Sequence, residues 1–599
     1  MAAEMGSEIK NDHVKAFESL SIISHNCSSG PSLRGTQKLK ITECMNELEK
    51  IVYLVDAHVP KLRERTAFSY HLQAEQEECK EAADEFRQFK KLIFPPCNQT
   101  LEDGFNLIMQ QIAELPKEWT IVQLTSQYSP EEHINFNRKR YYSTGLHISV
   151  FNCGTDKAVP FVVTVPPPTV NGVKLELMQA HMDGLANYQS ELNSRVNQKA
   201  FRNYRDRLIY VQKYEEIEMC LKETIQNITC HWLREWRCLL SGKFEEKRID
   251  NFIRDELEEI IKNVLPEQTV SNRAKDLLYY VAKGALHLSD KEIISSMAQI
   301  FGEEAPLKVL VRLIKKLNVE LFSQFTNFAK HPLILVIDEN LDNLHWEMMH
   351  VLREESVTRV PSLHFAYILF KMHEKDMENG YKIISNYKNG QYIVNPESNL
   401  QKMEIRMMGF YKYWLEDWKG INNRQPTSKE FCAMLEDSDI FSYSGHGNGT
   451  HIVSLNDLRP LHIKAVVLMF GCASTRIQRQ GPQSDTLSSY HVYLTSRCPC
   501  LLGMLWPVHD LPTDQITTCL LSSWLPSTAP IPWENVNKTL WLKAQQTGEF
   551  TSTIVSMNHE SDVVLSRALA NTKHKLFNYV CLAACVVRGL PVKIKLIDN

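Results

Sequence analysis

The chain has 599 residues, and 67 Lys and Arg against 71 Asp and Glu give it a formal charge of −4. With 43 % hydrophobic, 23 % charged and 9 % aromatic residues, its make-up is that of a globular protein of about three or four domain-sized units. Wholesale disorder, a collagen-like chain and a coiled-coil rod are excluded, and the near-neutral charge excludes a surface that grips nucleic acid along its whole length. No apolar run reaches the ~18 residues of a membrane span, Phe577–Val587 stopping well short. The first residues lack an apolar signal core, so the expectation is an intracellular protein. The 15 cysteines fit that compartment: their odd number, wide spacing and lack of a Cys-x-x-Cys pair argue against a disulfide framework. There is no His-Glu-x-x-His and no other metal-ligand spacing, so no metal or organic cofactor is expected.

Residues 1–115 read as an irregular tail followed by helices. Ser21–Gln37, rich in Ser and Gly, reads as mobile, whereas beyond Lys38 the residues Met45, Leu48, Val52 and Val55 recur at helical spacing. The texture changes at Leu115-Pro116-Lys117. Trp119–Leu124, Leu146–Phe151 and Phe161–Val165 are strand-like, and Pro166-Pro167-Pro168 stops the sheet because proline has no N–H for a ladder. Leu175–Ile261 is helical and dense in Glu, Lys and Arg, and helix continues toward Phe328, so a small sheet carries a large helical insertion over 175–328.

A second change falls at His331-Pro332. Leu333–Ile337 is a continuous apolar run of strand length, the pattern of a strand buried on both faces. After it come the apolar segment Phe365–Phe370, a polar turn at Asn389-Gly390, a helix over Leu400–Trp418 and a Gly/Pro break to Pro426. Asp439–Ser444, Ala465–Phe470 and Cys500–Trp506 are further strands, and Asp485–Ser496 puts Leu487, Tyr490 and Leu494 on one helical face. Strands alternating with helices predict an α/β fold with a mostly parallel sheet. Three units are expected, 1–115, 116–330 and 331–599.

In open α/β sheets functional groups gather at the C-terminal ends of the strands. Asp439–Ser444 runs straight into Gly445-His446-Gly447-Asn448-Gly449, and Ala465–Phe470 into Gly471-Cys472-Ala473-Ser474. Adjacent parallel strands would set His446 beside Cys472, with glycines letting the backbone bend and a peptide approach. A thiol needs a neighbouring imidazole to favour its thiolate and to protonate the leaving amine. Backbone N–H groups of Gly447 and Cys472 are suited to hold an oxyanion. Chemistry and position alone thus point to a cysteine–histidine hydrolase or transferase site.

The ordered segments Trp418-Lys419-Gly420, Pro426-Thr427, Asp439–Gly447 and Met469–Ser474 resemble separase, the caspase-like cysteine protease that opens cohesin rings at anaphase. His331–Glu347, Arg359–Leu363, Gly503–Trp506 and Phe577–Pro591 resemble the same family. The resemblance implies a caspase-like fold in which an inactive protease-like subdomain with a helical insert precedes the active domain. It implies that Cys472 is the nucleophile and His446 the general acid/base, without the spacing of caspases, whose histidine lies about 50 residues upstream of the cysteine. It also implies cleavage after arginine in acidic-x-x-Arg motifs of the kleisin subunit of cohesin, a securin-type inhibitor, and action in the cytoplasm with access to chromosomes and spindle in mitosis. No membrane and no direct nucleic-acid partner is expected.

A P1 arginine calls for a carboxylate, since guanidinium and carboxylate pair in a planar fork. The family places acids after its tryptophan, and here Trp506–Asp514 offers Asp510 and Asp514, with Pro507, His509 and Pro512 departing from the family pattern. Asp510 is the expected arginine anchor; Asp514 is either a second one or the cap of a helix starting near Gln515. Ala473 and Asn448 stand where the family has serine. Typical members carry a long N-terminal helical solenoid, so a separate scaffold subunit is expected to dock on residues 1–115. Glu245–Arg248 and Asp84–Arg87 fit the acidic-x-x-Arg pattern within charged helical sequence. The rival readings are a catalytically silent scaffold and a caspase-like protease with another substrate.

Overall fold

The computed structural model describes residues 30–44, 46–94, 100–129, 141–155, 159–197, 204–266, 269–479, 486–545, 550–552 and 562–596. Eleven strands build its central sheet: β1 (Thr120–Ser126), β2 (Leu146–Asn152), β3 (Phe161–Val165), β4 (Leu333–Ile337), β5 (Val357–Val360), β6 (Gly390–Val394), β7 (Lys419–Asn422), β8 (Ile440–Ser444), β9 (Val466–Met469), β10 (Cys500–Met504) and β11 (Cys585–Gly589). They lie in the order β7-β6-β8-β9-β10-β11-β5-β4-β1-β2-β3. Neighbours are parallel except at β10/β11, β1/β2 and β2/β3. β4 has the continuous apolar pattern because both faces are covered. Leu333, Leu335 and Ile337 enter one core, while Ile334 and Val336 enter the core on the opposite face.

The two sheets expected from the family resemblance are joined edge to edge. Arg588 of β11 stands opposite Arg359 of β5. β4 and β5 lie beyond residue 330, yet they pair with β1 and with each other, so they complete the first half of the sheet. The helical insertion falls where the proline stop and charge density placed it, as Leu177–Asn197, Tyr204–Asn227, Lys247–Val264, Asn272–Lys283, Asp290–Phe301 and Leu307–Gln324. Its logic is amphipathic: Ile249, Ile253, Leu257 and Ile260 form the buried stripe of one helix. A reciprocal Ser289–Glu292 capping box starts another. Among the described residues no helix is long and apolar enough to cross a membrane.

Three local expectations change, and the apolar segment Phe365–Phe370 gains an assignment. Gly30–Gln37, read as mobile, belongs to helix α1 (Gly30–Glu43); Ser21–Ser29 lies outside the described residues. Tertiary pairing holds α1, through buried Lys38 on Asp338 and buried Arg34 on Glu339, just past the end of β4. Phe365–Phe370 lies in a helix, Leu363–His373, which starts where Ser362 Oγ accepts the Phe365 N–H. Gly390, read as part of a turn, opens β6, and β7 occupies the expected Gly/Pro break. A Cβ on Gly390 would lie 1.9 Å from the Trp418 ring, so this position needs glycine for close packing rather than for turning. The helix expected over Leu400–Trp418 is α2 (Gln401–Trp414), and the helix after β10 is α3 (Asp510–Trp524).

Candidate active site

β8 and β9 are adjacent and parallel, with Tyr443 opposite Met469, so the loops that follow them leave the sheet side by side. Gly447 has φ +60°, a conformation that lets the chain turn sharply after His446. The Tyr443 hydroxyl donates to the His446 carbonyl at 2.8 Å and holds that turn. Gly471 is demanded by proximity: a Cβ there would lie 1.8 Å from the Gly447 carbonyl oxygen and 3.0 Å from that of Gly445. The two loops are therefore in direct contact. His446 and Cys472 line one small cavity of about 100 Å³, together with Leu400, Met403, Val508 and Asp510.

The Cys472 loop is stitched to the end of β10. Ala473 N–H donates to Trp506 O at 3.1 Å and Thr475 N–H to Met504 O at 3.0 Å. Ser474 Oγ donates to Met469 O at 2.8 Å and accepts from Met504 N–H at 2.9 Å. Ala473 takes φ +51° to make the turn. The half-buried Cys472 thiol donates to Val508 O at 3.3 Å, with the Val508 N–H 3.4 Å from sulfur. Burial pushes the thiol up from the ordinary value, and the contact with Val508 opposes this only in part. His446 is exposed, with Nε2 3.0 Å from Asn399 Oδ1. Among the described residues, neither the Gly447 nor the Cys472 N–H donates to another residue's backbone carbonyl.

The acidic floor differs from the expected one. α3 begins at Asp510 and not near Gln515, so Asp514 lies in the second helical turn and is no cap. Its carboxylate accepts from Arg406 Nε at 2.6 Å, and Asp510 accepts from Arg406 Nη2 at 3.1 Å. Arg406 comes from α2 and is buried, as is Asp514, whereas the Asp510 side chain is 46 % exposed. Burial pushes the Asp514 carboxyl well up, the Asp510 charge adds to this, and Arg406 opposes both. Two carboxyl groups thus share an internal guanidinium; both line the cavity, and of the two only Asp510 is exposed.

Sequence reasoning missed Arg406, Asn399 and Val508. Reading Gly390–Val394 as a parallel strand would have flagged Asn395–Asn399 as a third strand end beside the other two. Nothing in the local sequence marks Arg406. Of the acidic-x-x-Arg segments, Asp84 and Arg87 pair with each other at 2.6 Å on the helix Lys80–Ile93. Glu245 pairs with Arg567 at 2.7 Å, and Arg248 lies exposed in the first turn of the helix Lys247–Val264.

A family model described as the separin protease domain matches residues 148–512. Separin of Schizosaccharomyces pombe is 24 % identical over 459 residues, covering 72 % of this chain and 23 % of that protein. Separin of Mus musculus is 27 % identical over 364 residues, covering 61 % of this chain and 16 % of that protein. The chain thus spans less than a quarter of the length of either relative. Separase in the crystal structure of the Saccharomyces cerevisiae separase–securin complex superposes with a TM-score of 0.66 at 15 % identity, over 98 % of this chain and 38 % of that one.

Proposed function

Because the chain belongs to the separin protease-domain family, we propose that it is a cysteine endopeptidase with Cys472 as nucleophile and His446 as general acid/base. The observation that carries this reading is the contact of the two strand-end loops at Gly471 and Gly447, which gives the thiol and the imidazole one cavity with a carboxylate at its mouth. His446 takes the Cys472 proton, and the thiolate adds to the scissile carbonyl. The Gly447 and Cys472 N–H groups hold the resulting oxyanion. Collapse of that intermediate breaks the C–N bond, and His446 returns its proton to the departing amine. Water then hydrolyses the thioester with His446 again as base, restoring the thiol.

Asp510, half-exposed at the mouth, is the carboxylate for a P1 arginine, while Arg406, itself paired with Asp514, holds it from behind. The substrate we assign is the kleisin subunit of cohesin, cut after arginine in acidic-x-x-Arg motifs on mitotic chromosomes. A securin-type polypeptide lying in the same cleft is the inhibitor, in line with the securin bound to the structural relative. A separate helical scaffold docks on the N-terminal region, where Phe68 and Leu72 are exposed. A silent scaffold draws its support from the raised thiol and from the Arg406 already in the acidic floor.

The test is incubation of the wild-type chain and Cys472→Ser with purified kleisin. Fragments ending in arginine with wild type and none with the variant are expected. Intact kleisin with both proteins, together with no labelling of Cys472 by an arginine-bearing electrophilic peptide, would favour the silent scaffold. Cleavage without preference for acidic-x-x-Arg would point to another substrate.

A further inference from the structure

The ring of His446 is held through Nε2, 3.0 Å from Oδ1 of Asn399. An amide oxygen can only accept, so the nitrogen facing it carries hydrogen. Nδ1 is then left with the lone pair, the form in which imidazole acts as a base.

The turn that presents Asn399 is built at some conformational cost. Asn395, which follows β6 and is wholly buried, has φ +50°, and Ser398 has φ +56°. Side chains in this region of backbone space persist only where their surroundings over-determine them. Here Asn395 Oδ1 accepts the N–H of Asn399 at 3.0 Å and of Leu400 at 2.8 Å, and its Nδ2 donates to Glu404 on α2 at 2.8 Å. Its own N–H donates at 2.9 Å to the carbonyl of Ser444, two residues before His446. The Asn399 turn and the His446 turn are therefore referenced to the same strand ends. The second is pinned from its other side by the Tyr443 hydroxyl.

We propose that Asn399 is a positioning residue of this site: it accepts the Nε2–H of His446, fixing the tautomer and ring orientation that leave Nδ1 to take the Cys472 proton, and Asn395 holds Asn399 in place. The inference rests on the cysteine-protease reading, so its test includes a readout that does not need turnover.

The full chain and the variants Asn399→Ala and Asn399→Asp are compared in two assays. In the first, turnover of an acidic-x-x-Arg peptide is followed against pH. Asn399→Ala is expected to lower kcat roughly tenfold to a hundredfold, a part of what general acid–base catalysis contributes, with KM within about twofold. Asn399→Asp recovers much of that loss and moves the acid limb to higher pH, because a carboxylate favours imidazolium. In the second, modification of His446 by diethyl pyrocarbonate is followed against pH by peptide mass spectrometry. Asn399→Asp is expected to raise the midpoint by about one pH unit, and Asn399→Ala is not. A midpoint unmoved in Asn399→Asp, or equal loss of kcat in both variants, overturns the role of Asn399. Absence of turnover in the wild type overturns the protease reading alone, because the modification assay still reads the Asn399–His446 contact.

Discussion

Gly471 sits where two loops touch, and adding a single methyl there is a severe change. A Cβ 1.8 Å from the Gly447 carbonyl forces the His446 and Cys472 turns apart. Gly471→Ala is expected to cost about 1–3 kcal/mol of stability through overpacking and to abolish labelling of Cys472 by an arginine-bearing electrophilic peptide. Thermal unfolding and intact-mass labelling check the two parts. The two acids should separate by function although both contact Arg406. Asp510→Asn removes the exposed carboxylate and should lower kcat/KM for arginine peptides roughly tenfold to a hundredfold, with little change in melting temperature. Asp514→Asn leaves a buried guanidinium without its nearest partner and should destabilise by about 3 kcal/mol, with a smaller effect on arginine selectivity per folded molecule. Denaturant melts and peptide kinetics on both variants distinguish these outcomes.

At the scale of elements, α1 depends on charges supplied just past the C-terminal end of β4. Lys38 reaches both Asp338 and Ser126, at the ends of two parallel strands in the first half of the sheet. Burial alone would push the Asp338 carboxyl up, but Lys38, His58 and Arg34 together hold it well below the ordinary 3.8. A carboxyl depressed in the folded state contributes stability that is present above its unfolded value. That contribution is lost as pH falls below about 4 and onward through the folded value. Lys38→Met is therefore expected to release α1, seen as faster amide exchange over residues 34–43 at pH 7, and to cost about 3–5 kcal/mol because Asp338 is left buried and unpaired. It should also flatten the loss of stability below pH 4. Unchanged exchange in the variant would mean that apolar contacts alone hold the helix.

For the whole molecule, the seam between the half-sheets carries a buried charge network. Arg588 forks onto Asp342 at 2.9 and 2.6 Å, and Arg359 onto Glu347 at 2.7 and 2.6 Å. Arg359 also donates to the carbonyls of Asp342 and Leu344, and Arg588 to that of Thr475 in the Cys472 loop. Paired in this way, two arginines can face each other across β5 and β11, and the seam communicates with the loop bearing the thiol. Asp342→Asn is expected to cost about 3–5 kcal/mol and to lower the temperature of a thermal transition that stays single, because the core on each face of the sheet runs across both halves. Calorimetry reads this directly, and a single transition at an unchanged temperature would refute it.

Much of this architecture was legible along the chain because it rests on local signals. The apolar runs of β4, β9 and β10 announce buried parallel strands, and the glycines after β8 and β9 mark His446 and Cys472 as strand-end residues. The proline stop and the charge density delimit the helical insertion. β6 and β7 escaped notice because Gly390 and Gly420 weaken their strand character, and both glycines answer to packing against Trp418 and Tyr392. Only the tertiary structure decided that the two sheets are one, that α1 docks, that Arg406 occupies the acidic floor, and that Asn399 faces His446. Each of those rests on side chains separated by tens to hundreds of residues, 47 for Asn399 with His446 and 300 for Lys38 with Asp338. Charges and amides choose partners by position in space, and no local periodicity records that choice.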